Sequence, residues 1–159
     1  MPIFATAGAK VFIGTVLPMK DEDFVVGDFS AIVWTEVTKL ESMGSLGDAA
    51  SEIEATHIGS IRTQRIKGLR TAQTMEIIAN IDYSDAGQLA LIAAEKTSDD
   101  YAFKVTFDDA PAGGTPSERY FVGLVGSVTE AYDTANSIMK LSSSLWVNSN
   151  IVRVDAAGA

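Results

Sequence analysis

His57 is the one histidine in the chain, and a lone imidazole needs a nucleophile or a carboxylate beside it before it can move protons usefully. Its neighbours are Thr56 and Ile58, and no Gly-x-Ser-x-Gly elbow occurs to present a serine. Carboxylates come in pairs at Asp82 and Asp85, at Asp99-Asp100 and at Asp108-Asp109. Such pairs can share acid–base work or hold a hard cation through oxygen. None has the spacing of an EF-hand loop, and each stands at an element boundary, where aspartate caps helices and closes turns. Gly113-Gly114, Gly123 and Gly126 lack the Lys-Ser/Thr pair of a phosphate loop. Gly123 and Gly126 fall inside a strand pattern, where glycine marks a bulge or a close backbone approach. Arg62, Arg65, Lys67 and Arg70 could meet phosphate, but no aromatic residue is interleaved to stack a base, so solvated charges or ion pairs with acidic neighbours are the better reading. Trp34 and Trp146 lie in strand patterns and read as core or interface anchors. With no cysteine there is no thiol nucleophile, disulfide framework or thiolate metal site, and a reducing compartment is expected. The residues therefore offer no catalytic, cofactor-binding or metal-ligating constellation, and an enzyme is not expected.

The elements that would position these residues are mostly strands. Lys10 to Thr15 reads as a short strand and Ala31 to Glu41 as a second, rich in β-branched and aromatic residues. In Thr74 to Asp82, Met75, Ile77, Ala79 and Ile81 point one way and Glu76, Asn80 and Asp82 the other, which predicts a strand with one wet face. A helix is predicted over 85–97, with Asp85 as cap and Gln88 three residues on, a variant of the capping box. Its stripe Leu89, Ile92, Ala93, Lys96 places Leu89 and Ile92 against a sheet. Tyr101 to Phe107 alternates, with Tyr101, Phe103, Val105 and Phe107 inward. Arg119 to Tyr132 and Asn136 to Asn148 form a long antiparallel hairpin. In its second strand Met139, Leu141, Leu145 and Val147 share the core face with Ser143. Lys140, Ser142 and Ser144 share the other with Ile138 and Trp146.

Between 43 and 70 the patterning lapses. Loops longer than about 12–15 residues are uncommon inside compact domains and are usually functional or disordered. This one keeps isolated apolar residues among its charges, which predicts an arm that finds its partner on another molecule. Residues 1–9 and 149–159 read as N- and C-terminal arms. The expected architecture is a single domain over 1–159. It is mainly β, an antiparallel β-sandwich or barrel with one flanking α-helix, a long inter-strand loop and extended terminal arms.

The chain has 159 residues, and 21 acids against 12 bases give a net charge of −9. A chain so acidic is not built to grip nucleic acid, whose affinity comes largely from Lys and Arg on phosphates. No apolar run approaches the roughly 18–20 residues of a membrane span, and the start lacks the basic and apolar blocks of a secretory signal.

Several segments, in order, carry a resemblance: Trp34 and Val37 leading into Met43-Gly-Ser-Leu-Gly47; Glu54-Ala-Thr56; Lys67-Gly68 before a long strand; Asp82-Tyr-Ser-Asp85 with Gly87-Gln88-Leu89; Tyr101-Ala-Phe-Lys-Val105; and Tyr120-Phe-Val-Gly123. Together they span most of residues 10–147, and their order and spacing resemble the major tail tube proteins of long-tailed bacteriophages. The resemblance implies a non-enzymatic, cofactor-free subunit of the virion tail, assembled in the host cytoplasm. Six copies would form a ring whose sheets join into one inner β-barrel, and the rings would stack. Implied partners are other copies of the chain, a tape measure protein, tail terminator and distal tail proteins, and DNA passing through without specific binding. No membrane is implied. On this reading Lys140, Ser142 and Ser144 are candidate lumen-facing residues, and Leu46, Ile53, Ile58, Arg62, Arg65 and Lys67 are candidate inter-ring contacts. The alternatives are a type VI secretion-like tube protein and a monomeric carbohydrate- or metal-binding β-sandwich module.

Overall fold

A computed structural model describes residues 3–158; Met1 and Pro2 of the expected N-terminal arm and Ala159 of the C-terminal arm lie outside the described residues. Residues 3–9 form no helix or strand, and Ile3 and Phe4 are exposed.

The strands β1 (Lys10–Val16), β2 (Thr35–Val37), β3 (Leu40–Ser42), β6 (Thr74–Asn80), β7 (Tyr101–Thr106), β8 (Glu118–Ala131), β9 (Lys140–Val147) and β10 (Val152–Val154) make one antiparallel sheet. Its path runs β2-β1-β7-β8-β9-β6-β3, with β10 against β8. The two ends of that path, β2 and β3, are separated in sequence only by Thr38 and Lys39. Three Cα steps reach about 11 Å at most, so the sheet has to curl until its ends meet. This closure produces the expected sandwich or barrel. The strand expected over 31–41 is therefore broken. Lys39 adopts φ +63°, a left-handed conformation uncommon outside glycine, and its carbonyl accepts the Asn80 amide at 2.9 Å.

The enclosed core gathers Val11, Ile13, Met75, Ile77, Phe103, Val105, Phe121, Val125, Leu145 and Val147 with Leu91 and Ala94 of α1 (Ala86–Glu95), the one α-helix among the described residues. A second cluster (Phe24, Phe29, Ala102, Val122, Val152) covers the opposite face of β7 and β8. At Ala102-Phe103 and Phe121-Val122 those two strands are buried on both faces, so Tyr101-Ala-Phe and Phe121-Val read as continuous apolar runs there. The segment that folds over them includes a short 3₁₀ turn, Val26–Phe29.

Asp85 caps α1 as expected, its Oδ2 accepting the Gln88 amide at 3.1 Å. The buried stripe differs from the expected one. Gly87, Gln88, Leu91 and Ala94 are buried, whereas Leu89 is 49% exposed and Ile92 only half-buried. The helix lies so close to β2 that a Cβ on Gly87 would sit 2.1 Å from the Glu36 carbonyl oxygen. Gln88 completes no capping box. Its Nε2 donates to the carbonyls of Thr38 (3.2 Å) and Asn80 (2.9 Å), and its Oε1 accepts the Asp82 amide (3.0 Å). That side chain ties the helix to both sides of the seam.

Where the sequence predicts a loop over 43–70, the chain forms an antiparallel hairpin, β4 (Asp48–Ala55) and β5 (Gln64–Ala72), as a separate two-stranded sheet. Its tip spans 56–63. Gly47 accepts the Gln73 amide across the base at 2.9 Å. The expected C-terminal arm is also shorter than predicted: β10 pairs Val152 with Tyr120, and Ala157 bridges to Thr115. Val152 is buried, so the pairing is anchored in the second cluster.

Candidate functional site

The sheet has one extended solvent-facing surface, built on β6, β8 and β9. In β9, Leu141, Ser143, Leu145 and Val147 are buried, while Lys140, Ser142 and Ser144 are half-exposed and Trp146 is 49% exposed. This is the alternation the sequence predicts, with one departure. Met139 precedes the strand, in the turn, and is exposed rather than in the core. Register fixes the neighbours. Lys140 faces Asn80 and Ala131, Ser142 faces Ile78 and Thr129, Ser144 faces Glu76 and Ser127, and Trp146 faces Thr74 and Leu124. A bulge between Val125 and Ser127 sets Gly126 under the indole, where a Cβ would lie 2.1 Å from the Trp146 ring.

The charges on this face are few. Lys140 Nζ meets Glu41 Oε2 at 2.8 Å. Ser142 donates to Glu76 Oε1 at 3.1 Å. Lys140 is thus neutralised, and Glu76 forms no ion pair among the described residues and is hydrogen-bonded to a serine. The sheet region is open at both sides. β7 accompanies β8 only as far as Gly123, while β9 pairs with β8 from Gly123 to Ala131. The other edge of 124–131 therefore has no strand partner among the described residues. β3 ends the path on the far side. Unpaired edges are templates for pairing with another chain.

The β4–β5 hairpin is the second surface. Glu52 faces Lys67, Ile53 faces Ile66, Glu54 faces Arg65 and Ala55 faces Gln64. Side chains alternate across a strand, so one face carries Glu52, Glu54, Arg65 and Lys67, and the other Ile53, Ala55, Gln64 and Ile66. Arg65 is already engaged, with Nε 2.9 Å from Glu52 and 3.6 Å from Glu54, and Arg70 pairs with Asp48 at 2.7 Å. The candidate contacts expected together are therefore divided. Ile53 lies opposite Arg65 and Lys67; Ile58 and Arg62 are at the tip. Leu46 belongs to neither group, because it packs on the main core. Ile58 and Ile61 are fully exposed at the tip, with Ile53, Ile66 and Leu69 exposed along the arm. His57 sits on the same exposed tip, its carbonyl accepting the Ser60 amide.

The aspartates serve the backbone. Asp82 accepts the Ser84 amide and hydroxyl, and Asp109 those of Ser117; in each case the hydroxyl and amide donors hold the carboxyl below its ordinary range. Among the described residues no cluster of three potential metal ligands occurs, and no helix is long and apolar enough to cross a membrane. Residues that sequence reasoning missed are Arg119 and Arg153. They face one another across β8 and β10 and line a cleft of about 670 Å³.

No family model matches the chain, and no curated protein matches it in sequence. Among solved structures it is similar to a chain of the anti-feeding prophage baseplate (TM-score 0.70, 7% identity, covering 98% of each chain). It is also similar to the SPP1 tail tube (0.65, 13%, 99% of this chain and 81% of that one) and to a chain of the PVC sheath-tube complex, from an extracellular contractile injection system (0.66, 12%, 96% and 92%). At such identities the likeness shows the fold. The chain has the fold of the SPP1 tail tube and of these injection-system chains.

Proposed function

We propose that the chain is a structural, non-catalytic subunit that joins copies of itself into the wall of a tube, in the manner of a phage tail tube. The observation that carries this reading is the wet face of β6, β9 and β8 flanked by unpaired edges. Pairing the free edge of 124–131 with the β3 side of the next copy is a heterologous contact, which closes into a ring if the rotation allows and removes both edges. Six copies, as the tail tube resemblance implies, would place Lys140, Ser142 and Ser144 on the lumen wall. Rings would stack through the hairpin tip, with Ile58 and Ile61 the apolar contacts. Such a lumen suits a passing duplex. Lys140 is held by Glu41, so little cationic charge is free to bind phosphate, and the affinity of protein for DNA scales with the phosphates neutralised. A tape measure protein inside, terminator and distal tail proteins at the ends, and residence in a virion tail built in the host cytoplasm follow from the same reading.

The likeness to injection-system chains supports a second reading, a secretion-type tube, which uses the same wall for different cargo. Both predict hollow polymers. Size-exclusion chromatography and negative-stain microscopy of the purified protein test them together: rings or hollow tubes are expected, and a monodisperse monomer at high concentration would contradict both.

A further inference from the structure

At the base of the hairpin lies the cleft of about 670 Å³, lined in part by Met43, Met75, Val105 and Phe107. Arg119 and Arg153 are a directly opposed pair in the antiparallel ladder of β8 and β10, so their side chains leave the same face of the sheet, and both line the cleft. Like charges in that position destabilise a sheet. Arg119 is half-buried, with its guanidinium carbon 5.4 Å from the Phe107 ring centre and Nη1 donating to the Glu118 carbonyl at 2.9 Å. Among the described residues neither arginine has a carboxylate within 4.0 Å. Of the nearby acids, Asp109 holds Ser117 and Asp48 holds Arg70, while Asp155 and the cleft-lining Asp23 act on the site without forming an ion pair with either arginine. Burial, and then the facing Arg153, hold the Arg119 guanidinium below its ordinary range, against the opposing pull of Asp155 and Asp109. The isolated chain therefore carries a repulsive pair of guanidinium groups beside the partly exposed Met43 and Phe107, with no counter-ion in contact among the described residues.

We infer that the Arg119–Arg153 pair and the cleft beside it form a docking site for an acidic segment of a second copy of this chain. Charge complementarity selects that occupant. Each copy carries −9 overall and offers exposed acids with no ion pair among the described residues, Asp21 and Glu22 among them, next to exposed Met19 and Val25. A carboxylate brought between two guanidinium groups makes charge-assisted, bidentate contacts and removes the repulsion that the free chain bears. The inference rests on the tube-subunit reading and adds a contact distinct from strand pairing and from the hairpin tip.

The test compares the full chain with Arg153→Ala and Arg153→Glu, first as monomers by thermal melting and then by sedimentation across concentration and salt. Relief of the like-charge pair is expected to leave the monomer Tm of Arg153→Ala equal to or above the wild type. Assembly of the same variant should require at least tenfold more protein, and that of Arg153→Glu more still. Added salt should weaken wild-type assembly strongly and that of the variants little. A clear drop in monomer Tm for Arg153→Ala would overturn the argument, because the arginine would then be supporting its own chain. Variants that assemble at the wild-type concentration with unchanged salt dependence would overturn this site and leave the tube reading standing. A wild type that never assembles would end both.

Discussion

Replacing Gln88 by leucine should loosen the helix from the seam by a predictable amount. Gln88 is 2% exposed and makes three hydrogen bonds, to the Asp82 amide and the Thr38 and Asn80 carbonyls. Leucine keeps the volume but deserts all three groups. Each net hydrogen bond contributes about 1 kcal/mol, and an unsatisfied partly buried group costs about 1–3 kcal/mol. The added apolar burial recovers about 1 kcal/mol. With three such groups the net loss is therefore about 2–8 kcal/mol, and at roughly 2–4 °C per kcal/mol for a domain of this size the Tm should fall by about 4 °C or more, up to about 32 °C. Gln88→Glu sharpens the test. A carboxylate would face the Thr38 and Asn80 carbonyls in a buried site, so its pKa in the folded state must rise above the unfolded value near about 4.3. The folded state then binds the extra proton more readily, so the variant's deficit relative to wild type should be smallest at low pH and should grow as pH rises through the raised pKa. Differential scanning calorimetry of the three proteins from pH 4 to pH 8 measures both effects. A Gln88→Leu melting point within 1 °C of wild type would show that Leu91 and Ala94 packing alone holds the helix.

Four further outcomes can be checked. Gly87→Ala should cost about 1–3 kcal/mol by chemical denaturation, because its Cβ would meet the Glu36 carbonyl oxygen at 2.1 Å and rigid backbone must move. Ser143→Ala should be neutral or stabilising by about 1 kcal/mol, since the Ser143 hydroxyl is buried in β9 with no hydrogen-bond partner; a loss above that size would reveal a partner. The Asp109 carboxyl is held low chiefly by the Ser117 hydroxyl, so its stabilisation is present above the unfolded aspartate pKa and lost as pH falls through the lower folded value; Ser117→Ala should lower stability at pH 7 and leave less to lose on acidification, as acid titration by circular dichroism will record. Changing Ile58 and Ile61 together to Asp should leave the monomer Tm within about 1 °C of wild type, since exposed sites carry little stability, while polymer length in sedimentation collapses; normal polymers would remove the tip from the assembly contacts.

The wet face was readable from β9 alone, because Leu141, Leu145 and Val147 alternate with Lys140, Ser142 and Ser144 and only one face of that strand is solvated. The helix position was readable from Asp85, but its buried stripe was not. The closest approach runs through Gly87 and Gln88, where a missing Cβ and a polar side chain matter more than apolar content. The hairpin was hidden because both its faces are exposed, and strand patterns are legible only where one face is buried. The break at Lys39 depends on a left-handed lysine, a conformation no local rule assigns to that residue. The facing of Arg119 and Arg153 is a product of register between β8 and β10, which residues 34 positions apart in sequence do not announce.

A helical cryo-EM reconstruction of the assembled protein is the most direct test of the tube-wall reading. The account predicts a hollow polymer in which Glu76, Lys140, Ser142 and Ser144 line the lumen and the free edge of β8 at 124–131 pairs with a neighbouring copy. A polymer with those four side chains on its outer surface, or with 124–131 still unpaired, would contradict it.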